Sequence, residues 1–268
     1  MSTAAASFLE RIVETRRVEV AQTWGLLAPP DLERLACCAR TPRDFEAALR
    51  APAVVGVIAE IKKASPSAGP IAPDVEASKQ ALHYQAGGAA AISVLTEPSV
   101  FLGSFTDLSD VADAVDVPVL CKDFIVDPAQ LFVARGHCAD AVLLMVSVLG
   151  DELASYLDLA STLRLQCLLE VVSPAELDVA VRAGASLVAV NARDLHSLEV
   201  DLEAAAPLVA AARRLGMTVV HASGVRSCAD VEAAAAAGAH AVLVGETLMR
   251  ASFPEDVLAE LTGVPRRP

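Results

Sequence analysis

A chain of 268 residues, 54% apolar but only 4% aromatic, is suited to one large domain whose core is mainly aliphatic. Its formal net charge of -13 excludes a broad nucleic-acid or anionic-membrane surface, either of which needs a net basic patch, so any bound phosphate must be held locally. Cys37, Cys38, Cys121, Cys138, Cys167 and Cys228 form no C-x-x-C pair and no zinc-finger spacing, which predicts reduced thiols in a cytoplasmic protein without a metal site.

In chain order, residues 4 to 24 predict an amphipathic helix with Phe8, Leu9, Ile12 and Val13 on one face. Its charges Glu10, Arg11, Glu14, Arg16 and Arg17 interrupt any signal-peptide core, and no later stretch is long and apolar enough to span a membrane. A loop containing Pro29 and Pro30 is expected next, and Thr41 and Pro42 are expected to open a second short helix. Residues 1–50 are thus expected to form a helical extension packed on a domain of residues 51–268. Periodicity does not say whether it covers the bottom of the following structure or leans over its top.

From Val54 onward, short β-rich apolar runs alternate with alanine-rich helical segments. The runs fall at 54–62, 90–96, 117–124, 139–147, 166–172, 187–193, 218–224 and 241–246. Near-continuous apolar character fits strands covered on both faces, and eight of them separated by helices predict an α/β fold, a single (β/α)8 barrel. The segments QAGGAAAISVL, ARGHCADAVLLM, RAGASLVAVN and AAGAHAVLVG recur at intervals of about fifty residues, or two βα units. In each, a glycine (Gly88, Gly136, Gly184, Gly238) is expected to end a helix in the left-handed conformation.

Chemistry in such barrels sits at the C-terminal strand ends. Polar groups stand there on five strands: Glu60 and Lys62, Lys122 and Asp123, Glu170, Asn191 and Arg193, and Ser223. Buried charge is costly without a partner or a purpose, so this recurrence argues for a site. Strand alternation puts Glu60 and Lys62 on one face, and Asn191 and Arg193 likewise. The elements SGV (223–225) and VGE (244–246) end strands seven and eight, where backbone N–H groups commonly hold a phosphate, opposite KKASPSAG with Lys62, Ser65 and Gly69.

The segments IAEIKKASPSAGPI (58–71), ISVLTE (92–97), FLGSFTDL (101–108), VPVLCKDFIVDPAQL (117–131), ADAVLLM (139–145), LLEV (168–171), VNARDL (190–195), SGV and LVGETLM (243–249) stand in the order found in one family. On these motifs the chain resembles the indole-3-glycerol phosphate synthases, the pairing of AEIKKASPS with CKDFIVD being highly specific. The resemblance implies a lyase of tryptophan biosynthesis, with no metal or organic cofactor. Its substrate, 1-(2-carboxyphenylamino)-1-deoxyribulose 5-phosphate, becomes indole-3-glycerol phosphate, carbon dioxide and water. Ring closure needs a proton donor at the sugar carbonyl, and dehydration needs an acid at the leaving hydroxyl and a base for the ring proton. By resemblance Lys122 is the carbonyl donor, Glu170 the base or relay, Lys62 a second ammonium held by Glu60, and Asn191 a partner of the substrate hydroxyl. Arg193 would take the carboxylate through its planar fork. Ser65, Ser223, Gly224, Gly245 and the Glu246 backbone would line the phosphate pocket, and Phe101, Phe124 and Leu143 the aromatic slot. The small phosphorylated sugar-arylamine is the expected partner, with no nucleic acid or membrane, and a monomer or weak homo-oligomer is expected.

Four positions depart from the family pattern. Ala222 stands where Glu-Ser-Gly is usual, Ala129 where tyrosine is frequent, and Val172 and Ala192 where polar residues are common. The missing acid at position 222 predicts an altered rate or substrate preference with the chemistry retained. The alternatives are a paralogue cyclising a modified arylamine adduct and a phosphate-binding subunit without turnover. Retention of Glu60, Lys62, Lys122 and Glu170 together argues against the second. A phosphoribosyl-anthranilate isomerase would need a cysteine in the first strand, where Glu60 and Lys62 stand. His83, His137, His196, His221 and His240 form no motif and are expected at the surface or at helix ends.

Overall fold

The computed structural model describes residues 6–51 and 53–267. Helix α1 (Phe8–Gln22) starts on a capping box in which the Ser7 hydroxyl accepts from the Glu10 N–H and the Glu10 carboxylate accepts from the Ser7 N–H. The predicted helix began at residue 4; residues 4 and 5 lie outside the described residues. Pro29 and Pro30 are not in a loop but form the first turn of α2 (Pro29–Cys37), where a missing N–H leaves no intrahelical bond unmade. Helix α3 (Phe45–Arg50) starts later than Thr41 and Pro42, because the Asp44 carboxylate caps it by accepting the Ala47 N–H at 2.9 Å.

All eight apolar runs form strands: β1 (Gly56–Ile61), β2 (Ala91–Leu95), β3 (Val119–Lys122), β4 (Ala141–Met145), β5 (Gln166–Val171), β6 (Leu187–Asn191), β7 (Thr218–Ala222) and β8 (Ala241–Val244). Each pairs in parallel with its chain neighbours, and β1 closes on β8 in the register Gly56↔Ala241 to make an eight-stranded barrel. Alternate residues serve two layers. Ile58, Leu120, Leu143, Leu168, Val220 and Leu243 meet inside the barrel. Val57, Val142, Val188, Val219 and Val242 face outward onto the helices. Those helices are α4 (Ala77–Ala86), α5 (Phe105–Ala114), α6 (Ala129–Gly136), α7 (Val146–Leu149), α8 (Leu153–Thr162), α9 (Pro174–Arg182), α10 (Leu202–Arg214), α11 (Cys228–Ala237), α12 (Glu246–Met249) and α13 (Pro254–Leu261).

Gly88, Gly184 and Gly238 have φ of 89°, 81° and 101°, as expected of left-handed helix ends. Gly136 does not: it is the last residue of α6, and the left-handed residue of that unit is Cys138, at φ 64°. Gly136 is small for a different reason, since a methyl group there would overlap the Leu35 side chain of α2. His221 and His240 are also not at the surface, being only 6% and 4% exposed. His240 accepts the Val219 N–H at 2.9 Å, and burial, reinforced by Arg213, pushes its pKa down to about 4.

Helices α3 and α1 pack against opposite ends of the barrel. Phe45 and Leu49 of α3 are fully buried and belong to the barrel's interior cluster. They sit beneath the strand N-termini, where Glu46 accepts from Thr218, the first residue of β7, at 2.6 Å. Asp140, also at this end, receives the Arg40 fork, with Nη2 at 2.9 Å, together with the Arg43 N–H at 2.7 Å and the Val119 N–H at 2.8 Å. At the opposite end Leu9, Ile12 and Val13 of α1 join the same interior cluster beside Phe124.

Candidate active site

The C-terminal strand ends open into a cleft of about 340 Å³, a size suited to a small ligand. The residues given roles by the resemblance line it: Glu60, Lys62, Lys122, Glu170 and Asn191, and with them Ser65, Phe101, Phe124, Leu143, Arg193, Ser223, Gly224, Gly245 and Glu246, whereas Gly69 does not. Asp123, at the same strand end as Lys122, reaches the cleft wall but is turned to Arg16 of α1.

Glu60 is the hub of the charged group. Lys62 Nζ lies 2.9 Å from its Oε1, and Lys122 Nζ 3.6 Å from its Oε2, an ion pair longer than a hydrogen bond. Burial opposes the Glu60 charge, but Lys62 and then Lys122 outweigh it and hold the carboxyl below its ordinary range. Glu170 goes the other way. Its burial pushes the carboxyl above the ordinary range, and Lys122 and Asn191 only partly offset this. Two carboxyls of one cleft are thereby driven apart, which is the arrangement that separates an anchoring carboxylate from a proton carrier.

Two glycines shape this wall. A Cβ on Gly245 would overlap Glu60 Oε1 and lie 3.0 Å from Lys62 Nζ, so a side chain there would have to displace the Glu60–Lys62 pair. Gly224 has φ 83°, and a Cβ there would meet Leu202 Cδ2 at 2.6 Å. Its neighbour Ser223 is left-handed too, at φ 70°, and its hydroxyl donates to Asn191 Oδ1 at 2.7 Å. The Arg193 N–H donates to the same oxygen at 3.0 Å, and the Arg193 guanidinium donates to the Leu198 carbonyl at 2.8 Å. Ser65 sits in a short hairpin, Ala64–Ser65 against Gly69–Pro70, and its hydroxyl accepts the Ala68 N–H at 3.2 Å.

The opposite wall is apolar. Phe101 and Phe124 stand with ring centroids 6.1 Å apart, and Leu143 shares their cluster. Phe101 is held from below by Glu97, a fully buried carboxylate whose Oε2 accepts the N–H groups of Val100 and Phe101, both at 2.9 Å. The cleft also contains Phe8, expected only as part of an apolar helix face, and Leu95, Met145, Leu195, Leu198, Arg226, Thr247 and Arg250, which are not singled out in the sequence. Alternation from Leu143 reaches Met145, so that residue had a usable signal. Phe8, Arg226 and Arg250 project from a helix and from loops, and alternation says nothing about those.

Comparison with known proteins identifies the family. The family model described as indole-3-glycerol phosphate synthase matches residues 9–261. Indole-3-glycerol phosphate synthase of Mycobacterium avium is 45% identical over 257 residues, 96% of this chain and 94% of that protein. The protein of the same name from Mycobacterium tuberculosis is 43% identical over the same shares of each chain. A ligand-free tryptophan synthase structure from M. tuberculosis superposes with a TM-score of 0.61 at 17% identity, over 81% of this chain and 95% of that one, a likeness of fold alone. The motifs, the site they build and the near full-length match lead to one assignment: the chain belongs to the indole-3-glycerol phosphate synthase family.

Proposed function

We propose that this chain is a cytoplasmic carboxy-lyase that closes the indole ring of indole-3-glycerol phosphate from 1-(2-carboxyphenylamino)-1-deoxyribulose 5-phosphate, releasing carbon dioxide and water. The observation that carries this reading is the pair of ammonium groups on one buried carboxylate, with a second carboxyl of raised pKa in the same cleft. The phosphate would lie between the hairpin of Ser65 and the turns at Ser223, Gly224, Gly245 and Glu246, and the arylamine against Phe101, Phe124 and Leu143. Arg193 would bind the carboxylate and Asn191 a sugar hydroxyl. Lys122 then protonates the carbonyl oxygen as the aromatic carbon attacks, and loss of carbon dioxide restores the ring. Lys62 protonates the departing hydroxyl while Glu170 takes the ring proton, and Glu60 keeps both ammonium groups in place. In this reading residues 1–50 are an extension and residues 51–268 the catalytic barrel.

A steady-state assay with the unsubstituted substrate, followed by indole fluorescence, tests the reading: turnover supports it, and product binding without turnover overturns it. Ala222 favours a second reading. It lies in register with Asn191 on one side and Leu243 on the other, leaving the cleft open at β7. A bulkier arylamine adduct would use that space. A panel of substituted anthranilate adducts separates the two.

A further inference from the structure

Helix α1 carries one charged side chain on its buried face. Leu9, Ile12, Val13, Arg16 and Val20 form that face, and Arg16 is 3% exposed. Its guanidinium grips Asp123 at two points, Nε donating to Oδ1 at 2.8 Å and Nη2 to Oδ2 at 2.7 Å. The Thr96 hydroxyl donates to Oδ2 at 2.6 Å and the Phe124 N–H to Oδ1 at 2.8 Å, so four donors converge on a carboxylate with no solvent exposure. The third Arg16 nitrogen donates to Glu19 at 3.0 Å, and the Trp24 ring lies 5.1 Å from the guanidinium carbon.

A buried ion pair is weak evidence for stability, because apolar groups of equal volume do as well, but a planar fork fixes the orientation of the carboxylate it holds. Asp123 lies between two cleft residues. Lys122 precedes it, with Nζ beside Glu60, and Phe124 follows it, against Phe101. The surrounding backbone is also tied. The Lys122 carbonyl accepts the Thr96 N–H at 3.1 Å, and the Phe124 carbonyl accepts from Gln130 at 3.0 Å. Without Arg16 the directional tie between this segment and α1 is lost, and the apolar packing beside Phe124 that remains fixes no orientation.

We propose that Arg16 is a positioning residue of the reaction: by clamping Asp123, it sets the direction in which Lys122 and Phe124 project into the cleft. The proposal rests on the reading that Lys122 donates the carbonyl proton. It gives α1 a function beyond covering apolar surface.

The test is a double-mutant cycle of Arg16→Met with Lys122→Met. Arg16→Met alone is expected to lower kcat by about 10- to 100-fold with a much smaller change in KM, the scale of a displacement near 1 Å. In the Lys122→Met background it is expected to lower kcat far less, because one of the two groups it aims is gone and only the Phe124 contribution remains. Losses that multiply across the two sites would overturn the proposal. Arg16→Lys, which keeps the charge but offers no fork, serves if the methionine variant does not fold. Hydrogen exchange gives a readout independent of turnover. Amides of segment 119–126 are expected to exchange faster in Arg16→Lys while those of segment 166–172 do not, and equal protection in segment 119–126 would refute the clamp. A wild-type protein without turnover would sink the functional reading, and the exchange measurement would still decide whether Arg16 sets this strand end.

Discussion

Glu60 and Glu170 show how far position governs one kind of carboxyl, since both are buried and only Glu60 has an ammonium group at hydrogen-bonding distance. If Glu170 is the base, it must be ionised to work. Burial raises its pKa, so its ionised fraction falls as pH drops through a value above the ordinary glutamate range, and kcat is expected to fall with it. Glu170→Gln should lower turnover and abolish that acidic limb; a pH profile of unchanged shape in the variant would exclude Glu170 as its origin. Lys122→Met should reduce kcat by about two to four orders of magnitude while binding changes much less. A variant keeping more than half the wild-type turnover would remove Lys122 from the mechanism. Ala222→Glu is expected to raise kcat/KM on the unsubstituted substrate roughly tenfold, or about 1.4 kcal/mol, if the alanine merely lost an electrostatic contact. No change on either unsubstituted or substituted adducts would mean that position 222 carries no functional information. At this scale the sequence was legible wherever strand alternation applied, as with Glu60 and Lys62. It was silent on Phe8, which reaches the cleft from a helix remote in the chain, and on the Arg16 partner of Asp123.

The strands were readable because burial on both faces leaves almost no polar residue inside them, a pattern that needs no partner to be recognised. Where the elements differ from expectation, the causes are equally local. Pro29 and Pro30 suggest a loop only if proline is taken as a helix breaker everywhere; in a first turn its fixed φ suits the helix. Gly136 departs from its expected role because the repeat aligns on glycine, while the feature the four units share is a left-handed residue, here Cys138. Two substitutions test this account in opposite directions. Cys138→Gly is expected to stabilise the protein by about 1 kcal/mol, by relieving a left-handed conformation that costs side-chain-bearing residues roughly that much. Gly136→Ala is expected to destabilise it by about 1–3 kcal/mol, because the added methyl overlaps Leu35 and forces α2 away from α6. Urea unfolding measures both, and a destabilising Cys138→Gly would show that the thiol makes a contact worth more than the strain.

For the whole molecule, the net charge of -13 leaves room only for a local basic patch, and Lys62, Lys122, Arg193, Arg226 and Arg250 all line a single cleft. Where the extension sits was not legible, because helical periodicity identifies the apolar face but not what it meets. The answer, both ends of the barrel, bears on how the chain unfolds. Leu9, Ile12, Val13, Phe45 and Leu49 share one apolar cluster with the interior residues of the strands. Arg40 satisfies Asp140, a carboxylate with no exposure at the base of β4. An extension that completes the barrel's own core should not melt separately from it. The chain carries its own probe, because its single tryptophan, Trp24, lies in the extension and packs edge-on against Phe105 of α5 with centroids 4.9 Å apart. Tryptophan fluorescence therefore reports the extension, and far-UV circular dichroism is dominated by the helices and strands of the barrel. The two urea curves are expected to coincide, as one cooperative transition requires. Asp140→Asn should shift both midpoints together to lower urea, with Arg40 left lacking its buried counter-charge, at a cost of up to about 3–5 kcal/mol. If the fluorescence curve instead preceded the dichroism curve, in either protein, residues 1–50 would be a separable unit docked on a self-sufficient barrel.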